Sequence, residues 1–148
     1  TPCGTLFPYT TLFRSIHMGG KLGVMVEVNC ETDFVAKTDD FKTFARNIAM
    51  HIAATGPAGI VPEDVPEDVV LKEKEIYRAQ ALELGKPEQV VDKIVEGKLS
   101  KFIKEACLMN QPYVKNPEVT IADYLNEVIA KTGENITIKR FARFQLGE

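Results

Sequence analysis

Cys3, Cys30, Cys107, His17 and His51 are the side chains of this sequence suited to nucleophilic or metal chemistry. Thiol catalysis needs a base and an orienting group beside the sulfur, and structural zinc needs clustered ligands such as CxxC. The cysteines are widely spaced and form no CxxC or Cys/His cluster, so no metal site and no catalytic residue is assigned. Cys30 falls on the apolar face of a strand pattern, where a buried thiol is inert. Scattered thiols suit a reducing compartment, and a cytoplasmic location is expected. There is no GxxxxGK[ST] phosphate loop, and that pattern is what a nucleotide cradle requires. The neighbouring acids Asp39 and Asp40 read as charges at a helix N-terminus. What remains is Thr32-Asp33-Phe34-Val35, which sets an aromatic in a polar stretch between a strand and a helix. On spacing alone, Phe34 is either a staple on the following helix or an exposed contact, and the staple is the commoner case.

The elements that would carry this segment follow from periodicity. Leu22, Val24, Val26, Val28 and Cys30 alternate along Lys21–Cys30 as one face of a strand, a period of two. The turn residues His17-Met18-Gly19-Gly20 precede it, so Ile16 ends an earlier strand. Residues 31–38 read as a loop. Thr38 or Asp39 caps a helix over 40–54, with Phe41, Phe44, Ile48 and Ile52 as its buried stripe. Pro66 opens a second helix that runs to about residue 84. A third spans 88–96, is interrupted at Gly97, and is followed by a fourth from 98 to 107. Together residues 66–107 form a helical hairpin or small bundle. Residues 110–118 read as a loop with Pro112 and Pro117. Thr120 and Asp123 stand at capping-box spacing before a last helix that Gly133 ends. The final strand, 135–146, places Ile136, Ile138, Ala142 and Phe144 on one face, with Phe141 opposite. The sum is an α+β fold: a small antiparallel sheet of about three strands packed on helices, with a protruding helical hairpin.

With 148 residues and a net charge of −3 spread along the chain, one core can be buried. The basic footprint of a nucleic-acid binder is missing. Direct nucleic-acid binding is therefore not expected, and because no run of about 18 apolar residues occurs, no membrane span is expected. Residues 1–15, TPCGTLFPYTTLFRS, stand apart, with no acidic group and no continuous apolar core of a signal peptide. The stretch Thr5–Ser15 looks like a translated sequencing-library adapter, so residues 1–15 are expected to be a non-native segment. Thr10–Ser15 is nevertheless β-prone and can fill a strand position.

The run Val26-Glu27-Val28-Asn29-Cys30-Glu31-Thr32-Asp33-Phe34-Val35-Ala36 resembles the signature of the elongation factor Ts family. Further blocks follow in family order: residues 48–54, 62–66, 85–87, 95–99, 111–114, Gly133-Glu134-Asn135-Ile136, and Arg140-Phe141-Ala142-Arg143-Phe144. The resemblance implies that residues 16–148 are the core and dimerisation domain of a short, single-core member. It also implies that the family's N-terminal helical module is missing. The implied function is guanine-nucleotide exchange on elongation factor Tu, bound both with GDP and nucleotide-free, without catalytic chemistry and without a cofactor. On the same grounds Phe34 is a wedge near the nucleotide and magnesium site, Asp33 is its polar companion, and Thr32 and Val35 complete the tip. His17 is a second contact, and the chain is a homodimer. An alternative use is a non-exchanging interaction module built on the hairpin.

Overall fold

The computed structural model describes residues 9–148, which fall into two compact units. One unit holds the described residues up to Gly56 together with Pro112–Glu148, and the other holds Pro57–Gln111. The first eight residues of the adapter-like segment, Cys3 among them, lie outside the described residues.

The first unit is built on a three-stranded antiparallel sheet. Strand β1, Tyr9–His17, and β2, Leu22–Cys30, are joined by the turn at Met18–Gly20, and β5, Thr137–Gln145, lies on the other side of β2. Gly19 and Gly20 both take positive φ in that turn, where a side chain would be strained. The expected face of β2 holds: Leu22, Val24, Val26, Val28 and Cys30 are all buried. The β-prone stretch Thr10–Ser15 does take the strand position and pairs with β2 along its whole length.

Two helices of this unit follow the sequence pattern closely. Helix α2, Asp39–Thr55, starts at Thr38, whose hydroxyl accepts the Phe41 N–H. It buries Phe41, Phe44, Ile48 and Ile52, worth about 1.5–3 kcal/mol for each large apolar side chain. Helix α5, Ile121–Thr132, begins with the expected capping box: the Thr120 hydroxyl accepts the Asp123 N–H at 3.1 Å, and the Asp123 carboxylate accepts the Thr120 N–H at 3.0 Å. Those bonds favour the ionised Asp123 and lower its pKa.

Three expectations in this unit need correction. Residues 31–38 are not all loop, because Asp33–Ala36 forms a single helical turn, α1. The stretch read as a loop at 110–118 contains a small two-stranded sheet, β3 (Pro112–Tyr113) paired with β4 (Asn116–Thr120). Tyr113 stacks on Tyr124 at 4.7 Å, and the buried His51 accepts the Val114 N–H on Nδ1 at 3.3 Å. Packing from α2 and α5 thus supplies partners that no local pattern revealed.

The faces of β5 also differ from the expected ones. The register shifts between Glu27 and Val28, which pair with Arg140 and Ile138 and leave Lys139 as an extra residue. A bulge of one residue exchanges the two faces beyond it. Phe141 and Arg143 therefore share the face of Val26 and Val24, whereas Ala142 and Phe144 turn outward with Met25 and Gly23. Phe144 is 72% exposed. The same shift places Arg140 beside Glu27, and the guanidinium Nε donates to a carboxylate that is almost fully buried.

The second unit is a helical hairpin of α3, Glu67–Glu83, and α4, Glu88–Ala106. Between these two helices Ala81, Val91 and Val95 form a small buried cluster, with Tyr77 packed against it. Arg78 bridges to Asp92 at 3.3 Å, and Lys98 sits over the Tyr77 ring at 5.6 Å. At the base of the hairpin Leu108 N–H donates to the Gly59 carbonyl at 2.8 Å. A Cβ on Gly59 would meet Asp64 at 2.9 Å, so the chain passes too close for any side chain. The expected break at Gly97 is absent, and α4 runs straight through it. Glycine costs a helix about 1 kcal/mol relative to alanine, which packing against α3 outweighs here.

Candidate functional site

The sheet presents one end of β2 to the tip. Just past Cys30, Thr32 leaves the strand with extended backbone and caps α1, its hydroxyl accepting the Val35 N–H at 3.3 Å. Within that single turn adjacent side chains diverge. Val35 is 4% exposed and anchors the turn inward, while Phe34 is 80% exposed. The staple reading of Phe34 therefore fails, because the inward residue is Val35. Asp33 faces solvent and pairs with Lys37 at 2.6 Å. That bond and the carboxylate's charge raise the Lys37 pKa. Both groups are solvated, so the pair is a weak one that another donor can replace.

Residues to which the sequence assigned no role in the tip hold this turn. The Thr32 hydroxyl donates to the Glu134 carboxylate. The Glu31 carboxylate accepts from Asn135 twice, from its backbone N–H at 3.1 Å and its side-chain amide at 3.3 Å. Cys30 Sγ donates to the Thr32 carbonyl at 3.3 Å. Burial, then the nearby charge of Glu134, pushes the Cys30 thiol up, so the thiolate that nucleophilic chemistry requires is disfavoured.

His17 lies elsewhere. It closes β1 opposite Leu22, while Cys30 pairs with Tyr9 at the other end. Eight residue steps separate the two ends, about 26 Å at roughly 3.3 Å per step. His17 Nε2 bonds to the Ser15 hydroxyl at 2.9 Å, and the ring borders a groove lined by Met18, Leu22, Met50, Ala53 and Arg143. The structure thus gathers Thr32, Asp33, Phe34 and Val35 in one turn and sets His17 at the far end of the same sheet.

This is an α+β protein whose candidate site is an exposed turn just past the end of strand β2. Residues 9–148 match the family described as elongation factor TS. Elongation factor Ts of Desulfosudis oleivorans is 73% identical over 133 residues, covering 90% of this chain and 67% of that protein. The Carboxydothermus hydrogenoformans factor is 64% identical over 133 residues, covering 90% and 61%. That of Syntrophus aciditrophicus is 58% identical over 138 residues, covering 93% and 69%. The chain belongs to the elongation factor Ts family, a family of translation elongation factors. It spans about two thirds of the length of these curated relatives.

Proposed function

We propose that this chain promotes GDP release from elongation factor Tu by inserting the Asp33-Phe34 tip beside the nucleotide and magnesium site. The observation that carries the reading is the outward Phe34 on a turn pinned by the inward Val35. Exchange makes and breaks no covalent bond, so it needs no general acid or base. It needs tighter binding to the nucleotide-free partner than to the GDP complex, and by linkage GDP is then weakened by the same factor. A rigid aromatic that fits only the opened site supplies such a difference. Asp33 must exchange its bond to Lys37 for one to the partner, and breaking that solvent-exposed pair costs little.

The test is stopped-flow release of fluorescent GDP from elongation factor Tu. Acceleration that rises with the concentration of this chain is expected, and release at the spontaneous rate overturns the proposal. Such a factor would act in the cytoplasm.

The same reading extends to assembly. His17 and Phe34 stand at opposite ends of the sheet, so in a homodimer the two contacts with one partner come from different chains. The outward sheet face carries the exposed apolar side chains Ile16, Met25 and Phe144, which suits a covering copy. A chain that sediments as a monomer yet exchanges at full rate contradicts this assembly. A second reading has its own observation: Leu71, Ile76, Leu82, Leu84 and Val90 remain exposed along the hairpin. A chain that binds elongation factor Tu without changing GDP release would favour that interaction module.

A further inference from the structure

We infer that the Glu134-Asn135 turn is a clamp that presets the conformation of the Phe34 tip, with Glu134 as a positioning residue for partner binding. The inference rests on the proposed role of Phe34. Helix α1 has only four residues, far below the length at which a helix holds itself in water. Its order must come from outside the turn. Inward packing of Val35 is one source, and the Thr38 hydroxyl, donating to the Val35 carbonyl at 2.7 Å, is another.

The clamp supplies what those leave open, which is the direction of the stem. A hydroxyl has one hydrogen and two lone pairs. Thr32 gives its hydrogen to Glu134, and the same oxygen accepts the Val35 N–H that starts the turn. Fixing the rotor toward Glu134 aims a lone pair at that N–H. One residue earlier, Glu31 takes both donors of Asn135. Two successive stem residues are thereby tied to two successive residues about a hundred positions away in sequence. Glu31, Asp33 and Glu134 would repel one another if unpartnered. Each instead has a donor in place: Asn135, Lys37 and the Thr32 hydroxyl.

A clamp differs measurably from an ordinary surface contact. Its bonds are exposed, so removing them should leave the melting temperature nearly unchanged. The tip would then sample other conformations, and apparent affinity falls by the fraction that remains competent. For Glu134→Ala, the concentration giving half-maximal GDP release should rise roughly three- to tenfold. The saturating rate should stay within about twofold, because the competent tip is unaltered once bound. Hydrogen exchange at the Val35 and Ala36 amides should accelerate by a similar factor. Glu134→Gln keeps an acceptor for the Thr32 hydroxyl and should recover most of the loss. The inference is overturned if Glu134→Ala leaves both half-saturation and Val35 exchange at parent values, or if Glu134→Gln is as impaired as Glu134→Ala. Phe34→Ala, assayed alongside, separates the two ideas. Full activity in that variant sinks the wedge reading, while the amide exchange of Glu134→Ala still reports on the clamp alone.

Discussion

Replacing Phe34 by alanine should separate function from folding, and replacing its neighbour should do the reverse. Phe34 is 80% exposed in the free protein, so its side chain contributes little to the fold. Surface substitutions of this kind stay within about 0.5 kcal/mol. If the ring is buried fully by the partner, it gains about four fifths of the 1.5–3 kcal/mol of a buried phenylalanine. That is about 1.2–2.4 kcal/mol, or roughly eight- to sixty-fold in the second-order rate of GDP release. Val35 is inward at 4% exposure. Val35→Ala removes two methyl groups from packed surroundings, at about 1.5–2.5 kcal/mol, and should lower the melting temperature by several degrees. The assay pairs stopped-flow GDP release with thermal unfolding followed by circular dichroism. An active Phe34→Ala chain with parental release rates refutes the wedge. A Phe34→Ala chain that melts as early as Val35→Ala refutes the orientation of the turn.

Two further outcomes follow from the same structure. Gly97 lies inside α4 with ordinary negative φ, and a Cβ there meets nothing within 4 Å. Gly97→Ala should therefore stabilise the hairpin by about 0.5–1 kcal/mol, read as a higher urea midpoint, and a lower midpoint would contradict the open space. Cys30 and Cys107 are buried, and burial is the leading cause that raises both thiol pKa values. In a Cys3→Ser chain neither should react with a thiol-specific disulfide reagent at neutral pH until the protein unfolds. Loss of GDP-release activity on alkylation of the folded chain would instead favour a thiol-dependent activity.

The elements themselves were legible wherever one face of a strand or helix met one core. The alternation of Leu22 to Cys30 and the stripe from Phe41 to Ile52 each state their own partner side. The caps at Thr38 and Thr120 are bonds between residues three apart, so sequence alone locates them. Gly97 misled because propensity is a weak prior, which packing of α4 against α3 overrides. The β3–β4 pair was hidden because two- and five-residue strands with two prolines carry no period to read.

The sequence by itself determined the fold class and the family and nominated Thr32 to Val35 as a candidate tip, because signature, periodicity and capping are all local in the chain. It left Phe34 between staple and exposed contact, since either residue of a Phe-Val pair can face inward in a single helical turn. Tertiary structure decided that question by burying Val35. It also turned Phe144 outward through one extra residue in β5, and set His17 and Phe34 at opposite ends of a sheet. Above all it brought Glu134 and Asn135 to Thr32 and Glu31. Register, bulges and side-chain bonds across a hundred residues depend on how strands and helices meet, and no window of the sequence contains that information.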